Sequence, residues 1–518
     1  MIISVAKNTK KGILLGGIQR SILLLLPFVI RSVLIITLGV EYLGLNSLFS
    51  SIIQVLSLTE LGLSSAMVYH MYKPIADDDQ DTINALLNLY RSAYRIIGLV
   101  TVAIGLILTP LLPHLIHGSY PADINIYGLF LIYVANTSIS YFLFGYKQSL
   151  LSAYQREDII SFVNLIVQVG LKVTQIILLL ITKNFFLFTI CLPIFTIINN
   201  LWIGFITKKL FPNAVAQGKL ATDSLKEIKK VIAGTFIQKV CAITRNSLDS
   251  ICISAFLGLT LTAIYNNYFI IFNGVTMFFT VIGTSLSAGI GNHVVIKSTE
   301  ENFEELRKLD FLYMTLSGIS TVCLLCLFQP FMKLWMGSEM MLPFGAVILI
   351  CIYFYVLKMG DIKYLYNTAN GLWWKLKWRS IVETLLNVAL NIILGKIWGV
   401  YGIILATTIS LIICSYIWGA HILFKECFDR SKLVSFFLYH IKYLIVTVVI
   451  CFVTYNISRF AVGRLIGLNH ILLFILNVII TITVSVILYY LIYFKTNIFK
   501  ESIRIMSTRI KGNISNNE

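Results

Sequence analysis

Long uninterrupted apolar stretches recur along the whole of this 518-residue chain, and they constrain its fold more than any other feature. A stretch of about 18 apolar residues or more is long enough to cross the hydrocarbon core of a bilayer as a helix. Only 13% of the residues are charged, whereas soluble domains carry about a quarter. We therefore predict an all-α polytopic membrane protein. A disordered chain, a disulfide-rich secreted scaffold and an ordinary cytosolic enzyme are excluded.

Fourteen membrane-spanning helices are predicted from these stretches. They fall near residues 13–38, 46–72, 87–112, 124–147, 159–182, 185–207, 230–257, 260–290, 309–334, 341–370, 375–396, 399–424, 434–458 and 468–494. The connections between them are short, so no soluble domain is expected between spans. An even number of spans places both termini on the same side of the membrane.

The distribution of basic residues orients the chain. The formal net charge is +17, which in a soluble protein would suggest a nucleic-acid partner. In the connections and at the ends of the spans, however, 26 lysines and arginines lie on the face that carries the termini and only 5 on the opposite face. Cytoplasmic segments of membrane proteins carry such an excess. We therefore expect both termini to be cytoplasmic and no nucleic acid to be bound.

Two cytoplasmic segments are predicted to be helical. Ser224 and Glu227 have the spacing of a capping box at the start of a helix over 225–232. In the C-terminal tail, apolar residues recur at helical spacing from Phe499 to Ile510, with basic residues between them. Such a helix suits the surface of an anionic inner leaflet, so we expect the tail to contact membrane lipids.

The chain also resembles itself at an offset of about 219 residues. Residues 19–20 (Gln-Arg) fall on 238–239 (Gln-Lys), and the Leu-Gly pair at 38–39 falls on 257–258. Six predicted spans separate the copies, so both enter the membrane from the same side, as in transporters built from parallel repeats. The predicted domains are an N-terminal lobe (1–229), a C-terminal lobe (230–433), two additional helices (434–494) and a cytoplasmic amphipathic tail (495–518).

Charges deep within the spans indicate what lies between such lobes, because each one is costly in the bilayer. The deep cations are Arg20, Arg31, Lys172, Lys239, Arg245, Lys358 and Lys363, and the deep acids are Glu60, Asp249, Asp361 and Glu383. Arg20 and Arg31 are 11 residues apart and share one helix face. This positive excess favours an anionic substrate, and arginine suits phosphate groups. The predicted substrate-binding residues are Arg20, Arg31, Glu60, Lys239 and Arg245.

Neither a Gly-rich nucleotide loop nor a catalytic or metal-ligand motif is recognised, so we expect a transporter without a cofactor and without enzymatic activity. A sodium or proton gradient could drive it. The predicted cation-coupling residues are Asp249, Glu383, Asn387, Asn391 and Thr407. The alternative is structural: Asn and Thr in spans often form interhelical hydrogen bonds. The Arg245–Asp249 and Lys358–Asp361 pairs could likewise simply neutralise each other.

Several motifs resemble a known family. The stretches RSVLIITLGVEYLGLNSLF at 31–49, LSLTELGLSSAMVYHMYKPIA at 56–76 and LYRSAYRIIG at 89–98 are similar to the start of Wzx-type oligosaccharide flippases. These belong to the multidrug/oligosaccharidyl-lipid/polysaccharide (MOP) superfamily. The second-lobe stretch 238–267 and the region of spans 11 and 12 also resemble this family.

The resemblance implies a function and a site. It implies alternating access that moves an undecaprenyl-pyrophosphate-linked oligosaccharide across the bacterial cytoplasmic membrane, for polysaccharide synthesis, with glycosyltransferases and a polysaccharide polymerase as partners. It also implies a cationic cavity lined by spans 1, 2, 7 and 8. Related peptidoglycan-precursor flippases hold sodium between spans 7, 11 and 12. There, an acidic ligand replaces Asn391, so this chain departs from that pattern.

Three alternatives remain open from the sequence. A lipid II flippase of the same fold would share the anionic headgroup. A multidrug cation antiporter of the same fold would need a net acidic cavity, whereas the deep residues here are net basic. A membrane polysaccharide polymerase, from another class, would need a long external loop or an acidic pair at the interface.

Overall fold

The computed structural model describes Gly17, Ile22 and residues 24–57, 63–118, 120–220, 240–241, 243–245, 247–464 and 469–504. These residues form helices and their connections, with no β-strand among them. The chain divides into two compact units, Met1–Asn266 and Asn267–Glu518. The predicted boundary between the lobes, at residue 230, falls outside the described residues, so the lobe limits stay a prediction.

The first unit contains the following helices in chain order: α1 (Leu24–Thr37), α2 (Val40–Leu56), α3 (Leu63–Ala76), α4 (Gln80–Leu108), α5 (Ile126–Phe142), α6 (Lys147–Ala153), α7 (Glu157–Thr182), α8 (Phe185–Leu210) and α9 (helical at 240–241, 243–245 and 247–257). A 3₁₀ turn, Thr109–Leu115, extends α4. The core is built from branched and aromatic side chains of α1, α2, α5 and α8, with Phe49 and Phe130 in ring contact at its centre.

The second unit contains α10 (Leu259–Ile296, which begins in the first unit), α11 (Thr299–Met336), α12 (Phe344–Met359), α13 (Asp361–Ala369), α14 (Lys377–Trp398), α15 (Val400–Ser410), a π-helical segment (Leu411–Trp418), α16 (Gly419–Glu426), α17 (Lys432–Gly463), α18 (His470–Tyr493) and the start of α19 (497–504). α11 packs against α12, α17 and α18, and α14 packs along α15.

The fold class agrees with the sequence prediction. Among the described residues, ten helices are long and apolar enough to cross a membrane, and the bent pair α5 and α6 gives an eleventh. α1 and α2 are shorter apolar helices. Each of the ten matches a predicted span in order, and the total of fourteen stays a prediction.

Several boundaries differ from the predicted ones. In the region of the span predicted at 46–72, α2 begins at Val40, directly after Gly39, and ends at Leu56, and α3 is described from Leu63. α11 begins ten residues before the predicted start of its span. Its first turn is stabilised by a capping box in which Ser298 and Glu301 bind each other's backbone N–H groups. The capping box predicted at Ser224 and Glu227 lies outside the described residues.

The internal repeat is visible in the backbone of two glycines. Gly39 and Gly258 have φ angles of 111° and 92°, a conformation that side chains rarely adopt. Both donate their N–H groups to carbonyl oxygens four and five residues earlier, and a new helix starts at the next residue, Val40 or Leu259. The Leu-Gly pairs matched in the sequence therefore form the same helix-ending turn.

The C-terminal tail begins as a helix that is held by α11. Glu501 forms an ion pair with Lys308 (2.9 Å), and Ser502 Oγ donates to the Lys308 carbonyl oxygen (3.3 Å). The Phe499 ring lies 5.9 Å from the Tyr490 ring. The predicted contact of the tail with membrane lipids stays a prediction, since residues after Arg504 lie outside the described part of the chain.

Candidate functional site

Arg31 lies inside the first unit at a junction of three helices. It is carried by α1, and only 8% of its surface is exposed. Its Nη2 donates to Ser47 Oγ on α2 (3.3 Å) and to the carbonyl oxygen of Ala263 on α10 (3.2 Å). A buried guanidinium needs such oxygen acceptors to offset the loss of water. The structure thus confirms a buried position for Arg31, and its contact with substrate stays a prediction.

The other predicted substrate-binding residues are less fully defined. Arg245 is half-buried on α9. Arg20, Glu60 and Lys239 lie outside the described residues, so the shared helix face of Arg20 and Arg31 stays a prediction.

Asp249 lies in a polar seam within the first unit. It is buried on α9 and accepts a hydrogen bond from the hydroxyl of Tyr265 on α10 (3.1 Å). One residue further on, Ser250 and Asn266 bond to each other (3.0 Å). Of the residues in this seam, only Asp249 was predicted from the sequence. Two adjacent asparagines inside an apolar span, Asn266 and Asn267, were the sequence signal that could have revealed its other polar residues.

Three predicted cation-coupling residues are brought together in the second unit. Asn387 Nδ2 on α14 donates to Thr407 Oγ1 on α15 (2.9 Å), and Asn391 Nδ2 is 3.4 Å from Asn387 Oδ1. All three side chains are fully buried. The two helices approach closely at Gly402, where a Cβ atom would lie 1.9 Å from the carbonyl oxygen of Leu394. The hydrogen bond between Asn387 and Thr407 joins two helices, as the structural alternative requires. A cation-binding role stays a prediction.

Glu383, the fourth of these residues in the second unit, forms an ion pair with Arg379. The two are one helical turn apart on α14, and Arg379 Nη1 donates to a Glu383 carboxylate oxygen (3.2 Å). Arg379 was predicted to lie in a cytoplasmic segment, whereas its side chain is mostly buried. Arg379 therefore offsets the charge of Glu383 inside the bundle.

The pair predicted between Lys358 and Asp361 is present. Lys358 Nζ donates to Asp361 Oδ2 (2.7 Å), and the same oxygen accepts from the hydroxyl of Tyr313. The two side chains, at the end of α12 and the start of α13, therefore form an ion pair, as one of the two interpretations requires. In the part of the chain that the structure describes, no three His, Cys, Asp or Glu side chains are grouped to hold a metal ion.

Two adjoining cavities lie in the second unit, and neither was predicted from the sequence. The first has a volume of about 900 Å³ and is lined mainly by apolar side chains of α11, α12 and α17. The second, of about 1010 Å³, is lined by α11, α17 and α18 and includes Lys333, Arg459 and His470. Both cavities share Phe344 and Tyr455. An apolar cleft thus continues into a cationic one.

Two of the few basic residues predicted for the non-cytoplasmic face line the second cavity. Of the 5 lysines and arginines assigned to that face, Lys333 and Arg459 line this cavity, and Arg464 directly follows the end of α17, which carries Arg459. This clustering was a signal in the sequence, but the cavity itself depends on how three helices pack and has no sequence motif.

The arrangement of helices is similar to that in solved structures of membrane transporters. No family model matches the sequence, and no curated protein matches it. Solved structures do match. One is the lipid II flippase MurJ in an inward closed conformation, with 18% identity and a TM-score of 0.64 over 93% of this chain and 98% of MurJ.

Multidrug transporters of the MOP superfamily match as well. An inward-facing multidrug resistance MATE family transporter has 14% identity and a TM-score of 0.60, over 80% of this chain and 95% of its own. A Vibrio cholerae MATE transporter has 15% identity and a TM-score of 0.54, over 82% of this chain and 98% of its own. At these identities the similarity establishes the fold. The chain is a multi-pass membrane protein, and these structural neighbours are transporters.

Proposed function

We propose that this protein is a flippase that moves oligosaccharides linked to undecaprenyl pyrophosphate across the bacterial cytoplasmic membrane. The observation that carries the proposal is the pair of adjoining cavities in the second unit. An apolar cleft fits an isoprenoid chain, and Lys333 and Arg459 at its end suit a phosphate-bearing headgroup. A cationic drug lacks the anionic headgroup that these two basic residues would bind.

The structural comparison supports a lipid substrate in a second way. MurJ, whose own substrate is lipid II, matches 93% of this chain, whereas the MATE transporters match 80% and 82%. Lipid II carries the same kind of polyprenyl pyrophosphate. A lipid II flippase is therefore the second candidate, and the identity of the glycan separates the two.

The cavities are tested by binding of a labelled undecaprenyl-pyrophosphate oligosaccharide to the protein in lipid nanodiscs. Leu444 lines the apolar cavity, whereas Leu438 lies on the same helix away from it. We expect Leu444→Trp to fill the cleft and weaken binding roughly tenfold, the loss of about two buried methylene groups. Leu438→Trp is the matched control and is expected to bind normally.

The proposed position of the headgroup is tested with two arginines, one on α17 and one just after its C-terminal end. Arg459 lines the second cavity, whereas Arg464, five residues later, stacks on the Phe460 ring (4.2 Å). We expect Arg459→Gln to weaken binding of the pyrophosphate ligand roughly tenfold, the value of one charge-assisted hydrogen bond. Arg464→Gln is expected to have little effect. Equal losses in both variants, or no loss in either, would contradict the proposed headgroup position.

A further inference from the structure

A histidine and an aspartate contact each other inside the helix bundle of the second unit. His440 lies on α17 and Asp310 on α11, with His440 Nε2 at 2.8 Å from an Asp310 carboxylate oxygen, which is within ion-pair distance but lacks hydrogen-bond geometry. His440 has no exposed surface, and Asp310 is 5% exposed. Neither belongs to the predicted cation-coupling set. The pair links α11, part of the internal repeat, to α17, which lies outside the repeat.

The surroundings of the pair hold further charged and titratable groups on every helix packed against it. These are Arg307 and Tyr313 on α11, Tyr355 on α12, Lys363 on α13, Tyr416 in the π-helical segment, Tyr443 on α17 and Tyr493 on α18. Arg307 lies over the Tyr439 ring (4.9 Å) and pairs with Glu304 (3.3 Å). Lys363 is close enough to Asp310 for their charges to interact.

Other ion pairs lie near this contact. Among the described residues, Lys358 pairs with Asp361 and Arg379 with Glu383. A proton on His440 converts the contact with Asp310 into an imidazolium–carboxylate pair. Histidine is the side chain that most readily gains and loses a proton near neutral pH.

The pair is also connected to an irregular part of the backbone. Lys363 Nζ donates to the carbonyl oxygens of Ser415 and Tyr416 (3.0 Å for the latter), both within the π-helical segment 411–418. The Tyr416 ring lies 5.3 Å from the His440 ring. π-Helical turns are often found at functional sites. Tyr416 and His440 both line the apolar cavity, so a change at His440 occurs at the wall of that cavity.

We propose that His440 and Asp310 form a proton-binding site that controls the packing of α17 on α11 beside the apolar cavity. Bound to His440, the proton creates a charge-assisted contact that holds the two helices together. Its release leaves a neutral imidazole and a weaker contact. One imidazole and one carboxylate suit a proton, whereas sodium or calcium would require several oxygen ligands. A role of this site in transport rests on the proposed function, but proton binding itself does not.

The test is hydrogen exchange of the full-length protein in lipid nanodiscs at pH 6 and pH 8, corrected for the intrinsic exchange rate. In the unchanged protein we expect the peptide around His440 to exchange roughly tenfold more slowly at pH 6, the effect of one close charge pair. His440→Gln and Asp310→Asn should each remove this pH dependence. His421→Gln changes an exposed histidine of α16 and should retain it.

The protonation of His440 is also read directly, without any variant, from the imidazole signals of histidine-labelled protein across the same pH range. A buried imidazole signal that titrates and is missing in His440→Gln supports the site. Exchange that does not depend on pH in the unchanged protein, or an unaltered pH dependence in His440→Gln, overturns it. Neither readout needs a substrate, so failure of the proposed transport function would be seen separately.

Discussion

At the scale of single residues, Arg31 is a buried cation fixed by oxygen atoms from two neighbouring helices. Ser47 Oγ and the carbonyl oxygen of Ala263 accept from the same guanidinium nitrogen. Arginine presents five donors in a rigid fork, so the guanidinium has donors beyond this nitrogen. The family resemblance implies that the helix carrying Arg31 lines the cavity. A change at Arg31 is therefore expected to affect transport.

We predict that Arg31→Ala abolishes transport of the lipid-linked oligosaccharide, a loss of at least about a hundredfold if one buried charge pair with a phosphate is removed. The protein should remain in the membrane at its normal level. Ser47→Ala, which removes only one acceptor, is the control and should retain most transport. Transport and membrane abundance are measured in the same cells. Undiminished transport by Arg31→Ala would contradict the assignment of this residue to the substrate.

Ser298 and Glu301 allow a prediction about pH. Hydrogen bonds from Ser298 lower the pKa of the Glu301 carboxyl group. The folded-state pKa is thus below the unfolded one, so the stabilisation is present at neutral pH and is lost as the pH falls through the lowered pKa. Ser298→Ala should speed hydrogen exchange in the first turn of α11 about fivefold at neutral pH, since such a cap is worth about 1 kcal/mol.

A matched control exists at the start of α17. Ser431 occupies the same N-cap position but makes no capping bond through its side chain. Ser431→Ala should therefore leave exchange unchanged. Equal changes of hydrogen exchange in the two serine variants would show that the capping box does not stabilise the early start of α11.

At the scale of helices, the contact between α14 and α15 depends on the lack of a side chain at Gly402. We predict that Gly402→Ala destabilises the protein by about 1–3 kcal/mol, because its methyl group would overlap the backbone of Leu394. Thermal unfolding in detergent measures this. Gly283→Ala, on α10, is the control, since nothing lies within 4 Å of its added Cβ. A melting temperature that is equal in the two variants would contradict the close packing.

The helices also show what the sequence could and could not predict. Asn387, Asn391 and Thr407 were identified because residues four apart share a helix face, and the structure places them in contact. The early start of α11 was missed because eight of its first ten residues are polar, although the capping-box spacing at Ser298 and Glu301 was present. A span predicted from an uninterrupted apolar stretch therefore began at residue 309.

At the scale of the whole molecule, basic residues have two separate functions. Most of the lysines and arginines lie in segments assigned to the cytoplasmic side, and their number orients the chain. A few lie elsewhere, as at Lys333 and Arg459 beside the cavity or at Arg31 within the first unit. We propose that only the second group recognises a substrate.

The fold was predictable because apolar length alone requires membrane helices, and solved transporters confirm the all-helical architecture. The cavities and the contact between His440 and Asp310 were not predictable. They depend on how α17 packs against α11, and residues 130 positions apart in the sequence carry no shared motif. Side chains of this kind are recognised only when the packing of the helices is known.

The most direct test of the proposed function is transport by the purified protein in liposomes. A fluorescent undecaprenyl-pyrophosphate oligosaccharide is placed in both leaflets, and an impermeant quencher then reports how much of the inner-leaflet lipid reaches the outside. A fluorescent lipophilic cation is followed in parallel liposomes. We predict that the protein moves the glycolipid and leaves the cation where it is. Export of the cation without movement of the glycolipid would contradict the account and identify a multidrug transporter instead.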